Sequence, residues 1–163
     1  MSVPESISIT PIGVIRSEFK SKVGVPIQTA SAPQLRAELE VFPAYAAGLR
    51  DLEAFEYLIL LTHMHLVTEE LLEIVPFLDT VTHGVFATRA PSRPNRIGLS
   101  IVRLISIAGT TLHFEGNDMI DGTPVLDIKP YVPAFDVRQT ERIGWFANRI
   151  DQVPGKRSDD RMR

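Results

Sequence analysis

Four clusters in the chain hold residue types that can bind or transform a ligand. The first is Arg89-Ala90-Pro91-Ser92-Arg93-Pro94-Asn95-Arg96. Its two prolines restrict the backbone that carries three guanidinium groups, so those groups are presented with little ordering cost. A guanidinium pairs with carboxylate or phosphate through two bonds, or stacks on a flat base. A solvated surface loop has the same composition, and spacing alone does not choose between the two. The second cluster is Asp118-Met119-Ile120-Asp121-Gly122-Thr123-Pro124, followed by Val125-Leu126-Asp127-Ile128-Lys129-Pro130-Tyr131. Asp121-Gly122 signals a turn, whose carboxylate and amides can grip a small polar ligand. Asp127 and Lys129 share a strand face and suit an ion pair.

The third cluster is His63-Met64-His65. Two histidines at i and i+2 on a strand share a face, which permits a metal, yet no cysteine exists and spacing marks no third ligand. No metal site is expected. The fourth is Gly24-Val25-Pro26-Ile27-Gln28, a rigid turn whose side-chain amide can read the edge of a base. No ordered Ser/His/Asp set, no phosphate-binding P-loop and no GxGxxG motif accompanies these clusters.

The elements that must position them read mainly as strands. Residues 7–19 alternate apolar and polar types with a break near Pro11, and residues 35–42 place Leu35, Ala37, Leu39 and Val41 at period two. Residues 55–67 form a nearly unbroken apolar run, the pattern of a central strand. Residues 84–89, 99–108, 110–114 and 124–129 read as further strands. Residues 20–33 read as a long loop, 43–51 as a turn, 68–79 as a short helix closed by Pro76, and 140–150 as a C-terminal helix. The expected fold is a mainly β domain over residues 1–153, a small closed or partly open barrel with a few short helices. A charged, disordered tail is expected over residues 154–163.

With 163 residues, one domain is the default. The formal net charge of −3 argues against bulk electrostatic binding of nucleic acid, so any such contact needs a local basic patch. The absence of cysteine removes disulfides and thiol chemistry and fits a reducing compartment. No run of eighteen apolar residues is present, and residues 1–10 lack the features of a secretory signal. A cytoplasmic protein is therefore expected.

Gly84-Val85-Phe86-Ala87-Thr88-Arg89, with Arg93-Pro94-Asn95 and Ile97-Gly98-Leu99-Ser100, resembles one signature of the TrmO/YaeB (TsaA-like) family. The stretch Asp121 through Tyr131 resembles another, and Ile12-Gly13-Val14-Ile15-Arg16-Ser17 and Leu52-Glu53-Ala54-Phe55 match as well. The likeness covers about residues 7–137. It implies a β-barrel that binds S-adenosyl-L-methionine without a Rossmann fold, usually as a homodimer. It further implies methylation of N6 of threonylcarbamoyladenosine at position 37, in the anticodon loop of tRNA. By motif match, cofactor contacts fall on Pro26, Gln28, Met64, His65, Arg89, Arg93, Leu99, Asp121, Gly122, Thr123 and Pro124. Asp121 is the candidate base, although its place in the motif favours a cofactor anchor. Trp145 and Phe146 are candidates for part of a dimer interface.

The chain departs from the family pattern in places. Ile27 stands where bacterial members usually carry arginine, Arg96 stands where RPNPIG has its second proline, and the chain stops without the C-terminal domain of longer bacterial members. Three alternatives stay open: a methyltransferase with a different substrate, a non-catalytic S-adenosyl-L-methionine-binding module, and a metal-dependent enzyme built on His63 and His65.

Overall fold

The computed structural model of the chain describes residues 5–162. The expected domain and N-terminal segment run into residues 1–4, and the tail ends at residue 163; these positions lie outside the described residues. In chain order the strands are β1 (Gly13–Arg16), β2 (Arg36–Val41), β3 (Tyr57–His63), β4 (Glu73–Ile74), β5 (His83–Gly84), β6 (Ile97–Ala108), β7 (Thr111–Glu115) and β8 (Pro124–Pro130). Six of them close into one antiparallel barrel in the order β1, β2, β7, β6, β3, β8, with β4 and β5 paired apart from it. The mainly β barrel expected from the pattern is what forms. Closure pairs every strand on both sides and leaves no free sheet edge in the ring.

Alternation explains the core. Ala37, Leu39 and Val41 of β2 are buried, while Arg36, Glu38 and Glu40 face outward. Leu58 and Leu60 of β3, Val102 of β6, Leu112 and Phe114 of β7, Ile15 of β1 and Val125 of β8 complete one apolar cluster. On the outside, Arg16 pairs with Glu40 at 2.9 Å and Arg36 with Glu115 at 3.0 Å. The expected Asp127–Lys129 pair closes at 2.7 Å. Such exposed pairs add little stability. At Gly13 a Cβ would lie 2.5 Å from the carbonyl oxygen of Glu40, so this crossing of β1 and β2 admits only glycine at the present spacing.

Three expectations need correction. Residues 68–79 form no helix: Leu71 N–H donates to the Ser92 carbonyl and the Leu72 carbonyl accepts from Val85, so distant partners satisfy an extended backbone. Residues 84–89 are not a strand beyond Gly84. A 3-10 turn, Val85–Ala87, follows, and Thr88 Oγ1 closes it on the Val85 carbonyl at 2.8 Å. Residues 140–150 are not one helix. Two 3-10 turns, Gly144–Asn148 and Ile150–Gln152, replace it, with Gly144 at φ 61° breaking the path. Residues 154–162 lie against the domain: Pro26 bridges Arg157, and Ser158 is buried, its N–H donating to the Val25 carbonyl at 2.7 Å.

Candidate functional site

The barrel brings the clusters together through two registers. His63 of β3 pairs with Ile97 of β6, and Thr62 with Gly98, so the segment after β3 and the arginine loop before β6 run side by side. Met64 N–H donates to the Arg96 carbonyl at 2.9 Å and seals that junction. Next to it opens a cavity of about 920 Å³, near the upper end of the ~300–1,000 Å³ usual for small-molecule sites. Its walls are the 25–30 loop, residues 64–67 and 74–78, the arginine loop, the start of β6, residues 118–120 with Thr123, and parts of the C-terminal segment.

Of the residues singled out by motif, Pro26, Gln28, Met64, His65, Arg89, Arg93, Leu99 and Thr123 line this cavity. Asp121, Gly122 and Pro124 are not part of its lining. The two arginines differ in task. Arg89 Nη1 donates to Gln28 Oε1 at 3.0 Å and joins two loops across the site. Arg93 Nη1 donates to the carbonyls of Thr88 and Ala90 at 2.9 and 3.4 Å, so it staples its own loop. His65 lines the cavity while His63 does not. Burial, and then the neighbouring His63, lower the pKa of His65 and favour the neutral ring. Among the described residues no group of three His, Asp or Glu side chains is arranged to hold a metal ion.

Asp121 marks the expected turn, with Thr123 N–H donating to the Ile120 carbonyl and Gly122 at φ 79°. Its carboxylate accepts from Ser17 N–H at 3.0 Å and pairs with Lys20 at 2.9 Å. Those contacts, Ser17 first, hold its pKa below the ordinary carboxylate value.

Sequence reasoning placed Asp118 in a candidate cluster without singling it out, and it does line the cavity. Asp118 Oδ1 accepts from the Ser100 hydroxyl at 2.6 Å. Burial pushes its carboxyl up to about 6, against the opposing pull of Ser100, of the N–H groups of Asp118 and Thr29, and of Arg89. Asn117 fixes the loop beneath it. Fully buried, Asn117 donates to Ser17 Oγ at 2.8 Å and to the Met119 carbonyl, and accepts from Met119 N–H. No spacing rule separates Asp118 from Asp121; only the hydrogen bonds of the loop aim one inward and tie the other down.

Trp145 and Phe146 also belong to the cavity wall. Trp145 stacks on Phe146 at 3.9 Å and on His83 at 4.7 Å, and its Nε1 donates to the Ala87 carbonyl at 2.8 Å. Arg161, from the segment expected to be a loose tail, lines the cavity too and donates to the carbonyls of Pro76 and Phe77.

The fold and cavity define a small closed β-barrel with a ligand site built from its loops. The family model for the tRNA-methyltransferase O N-terminal domain matches residues 14–137, and the chain belongs to that family. It is 46% identical to a protein of Pyrococcus abyssi described as a "probable S-adenosyl-L-methionine-binding protein", over 99% of this chain and 88% of the relative. It is 38% identical to the tRNA (adenine(37)-N6)-methyltransferase of Mus musculus, over 79% of this chain and 32% of that protein. The crystal structure of TrmO from Pseudomonas aeruginosa superposes with a TM-score of 0.72 at 41% identity, over 86% of this chain and 62% of that one. The chain thus spans less than two thirds of the solved enzyme and about a third of the mouse one.

Proposed function

We propose that the chain binds S-adenosyl-L-methionine in this cavity and transfers the methyl group to N6 of threonylcarbamoyladenosine at position 37 of tRNA. The supporting observation is that the family's first motif segment lines one cavity of suitable size, joined there by Thr123 of the second. The donor set fits the cofactor: Arg89 for a carboxylate, Gln28 and the backbone of its loop for adenine, and apolar side chains such as Val25, Ile27 and Leu66 for the rest. When bound, the cofactor supplies an electrophilic methyl group on a sulfonium. The protein's part is to hold nitrogen, methyl carbon and sulfur in line. The target base sits in a single-stranded loop, where splaying it out costs little.

Leu99, Ile101 and Ile105 on β6 and Tyr57 on β3 leave an exposed, largely apolar stripe that suits a second copy of the chain as a homodimer. Among the described residues no helix is long and apolar enough to cross a membrane. With tRNA as substrate, the place of action is the cytoplasm.

Calorimetry with S-adenosyl-L-methionine tests the first step; no saturable heat at millimolar ligand refutes it. Arg89→Ala is expected to weaken that binding by about ten- to a hundredfold, the worth of a hydrogen bond to a charged group. Nucleoside mass spectrometry on tRNA from a deletion strain tests the substrate. An unchanged methylated threonylcarbamoyladenosine signal favours another acceptor. Cofactor binding with no S-adenosylhomocysteine formed on total tRNA favours a binding module.

A further inference from the structure

We propose that Asp118 is the catalytic base that removes the proton from the nitrogen being methylated. The proposal rests on the tRNA methyltransferase reading above. Asp118 is the one carboxylate among the described residues lining the cavity. The acceptor nitrogen, flanked by an aromatic ring and a carbonyl, is a weak nucleophile and must lose its proton close to the transition state. A base in the cavity wall has the position for that task, and Asp121 does not. The Asp121 carboxylate is not part of the cavity lining; it is tied to Ser17 and Lys20 and is held acidic.

The Ser100 hydroxyl donates to Asp118 Oδ1 at 2.6 Å and fixes the carboxylate in the cavity wall. Burial places the group near 6, so it is ionised at neutral pH and still basic enough to accept. Arg89 is the charged group that acts on it directly. The other titratable side chains of the wall are Lys22, His65, Arg93 and Arg161. In the step, the nitrogen lone pair forms the bond to the methyl carbon as the carbon–sulfur pair leaves with sulfur. The N–H proton passes to Asp118. The products are the methylated base and S-adenosylhomocysteine, and Asp118 returns its proton to water once they depart.

The test compares wild type, Asp118→Asn, Ser100→Ala and His65→Gln. Asp118→Asn is expected to bind S-adenosyl-L-methionine within about threefold of wild type by calorimetry and to slow single-turnover methyl transfer to tRNA by ~10²–10⁴-fold. The wild-type rate is expected to fall with slope one below about pH 6, and Asp118→Asn is expected to lose that limb. Ser100→Ala removes a donor that favours the ionised form. It is expected to raise both the limb and the Asp118 carboxyl titration, read by carbon NMR in the cofactor-free protein. Four results overturn the proposal: an Asp118→Asn variant as fast as wild type, cofactor binding lost in step with turnover, a limb removed by His65→Gln instead, or a Ser100→Ala variant whose limb does not move. A wild type that forms no methylated tRNA overturns the proposed function as well, which separates the two failures.

Discussion

At Asn95 and Arg96 the backbone takes φ values of 63° and 50°, the left-handed region in which side chains are disfavoured. Arg96 N–H donates to the Arg93 carbonyl at 3.1 Å, and its own carbonyl accepts from Met64. The loop is therefore drawn through a strained path that joins β6 to the segment after β3. This gives the departure at Arg96 a physical meaning. Proline, usual there in the family pattern, is locked near −65° and lacks the N–H, so the present path excludes it. Arg96→Gly is expected to raise stability by about 1 kcal/mol by relieving strain, and Arg96→Pro to lower it by roughly 1–3 kcal/mol. Urea unfolding of the two variants checks this, and a proline variant as stable as wild type contradicts the loop geometry. Arg93 teaches a related lesson. Its charge made it a ligand candidate, but the carbonyls of its own loop take one of its guanidinium nitrogens.

The C-terminal segment acts as one wall of the site, and a compact polar cluster holds it there. Asp79 accepts from His83 at 3.0 Å, Thr80 N–H at 2.7 Å and Arg149 at 3.3 Å. These bonds, His83 foremost, hold its pKa down to about 2. Because the folded value lies below the unfolded one, the contribution is present above about pH 4 and is lost as pH falls toward 2. Trp145, the one tryptophan of the chain, stacks on His83 inside this assembly. Its fluorescence is expected to shift to the red across that acid window, and Asp79→Ala is expected to show the shifted emission already at neutral pH. Identical spectra for the variant and wild type would mean that the cluster does not hold the wall. None of this was legible as pattern. Apolar residues of 140–150 fall at helical spacing, yet Gly144 at positive φ and the pull of His83 and Ala87 on Trp145 divide the segment into two short turns.

At the level of the molecule, the barrel depends on contacts between distant parts of the chain. β1 meets β8 through Gly13↔Val125, and it meets β2 so closely that Gly13 has no room for a methyl group. The obstructing atom is backbone, which cannot rotate away. Gly13→Ala is expected to cost roughly 1–3 kcal/mol and to lower the thermal midpoint by several degrees. A midpoint unchanged by the substitution would show that the crossing relaxes freely.

The sequence by itself determined the elements whose cause is local. Alternation in residues 35–42, the apolar run of β3 and the Asp121-Gly122 turn follow from neighbours along the chain, and all hold in the structure. Which side chain of a loop reaches the cavity is decided elsewhere. Ser17 reaches across to Asn117 and Asp121, residues 156–158 pair with residues 24–27, and β3 sets the arginine loop against the segment holding His65. Periodicity carries no record of such long-range bonds. Tertiary structure alone therefore turned Asp118 inward, tied Asp121 to Ser17 and Lys20, and made the C-terminal segment part of the site.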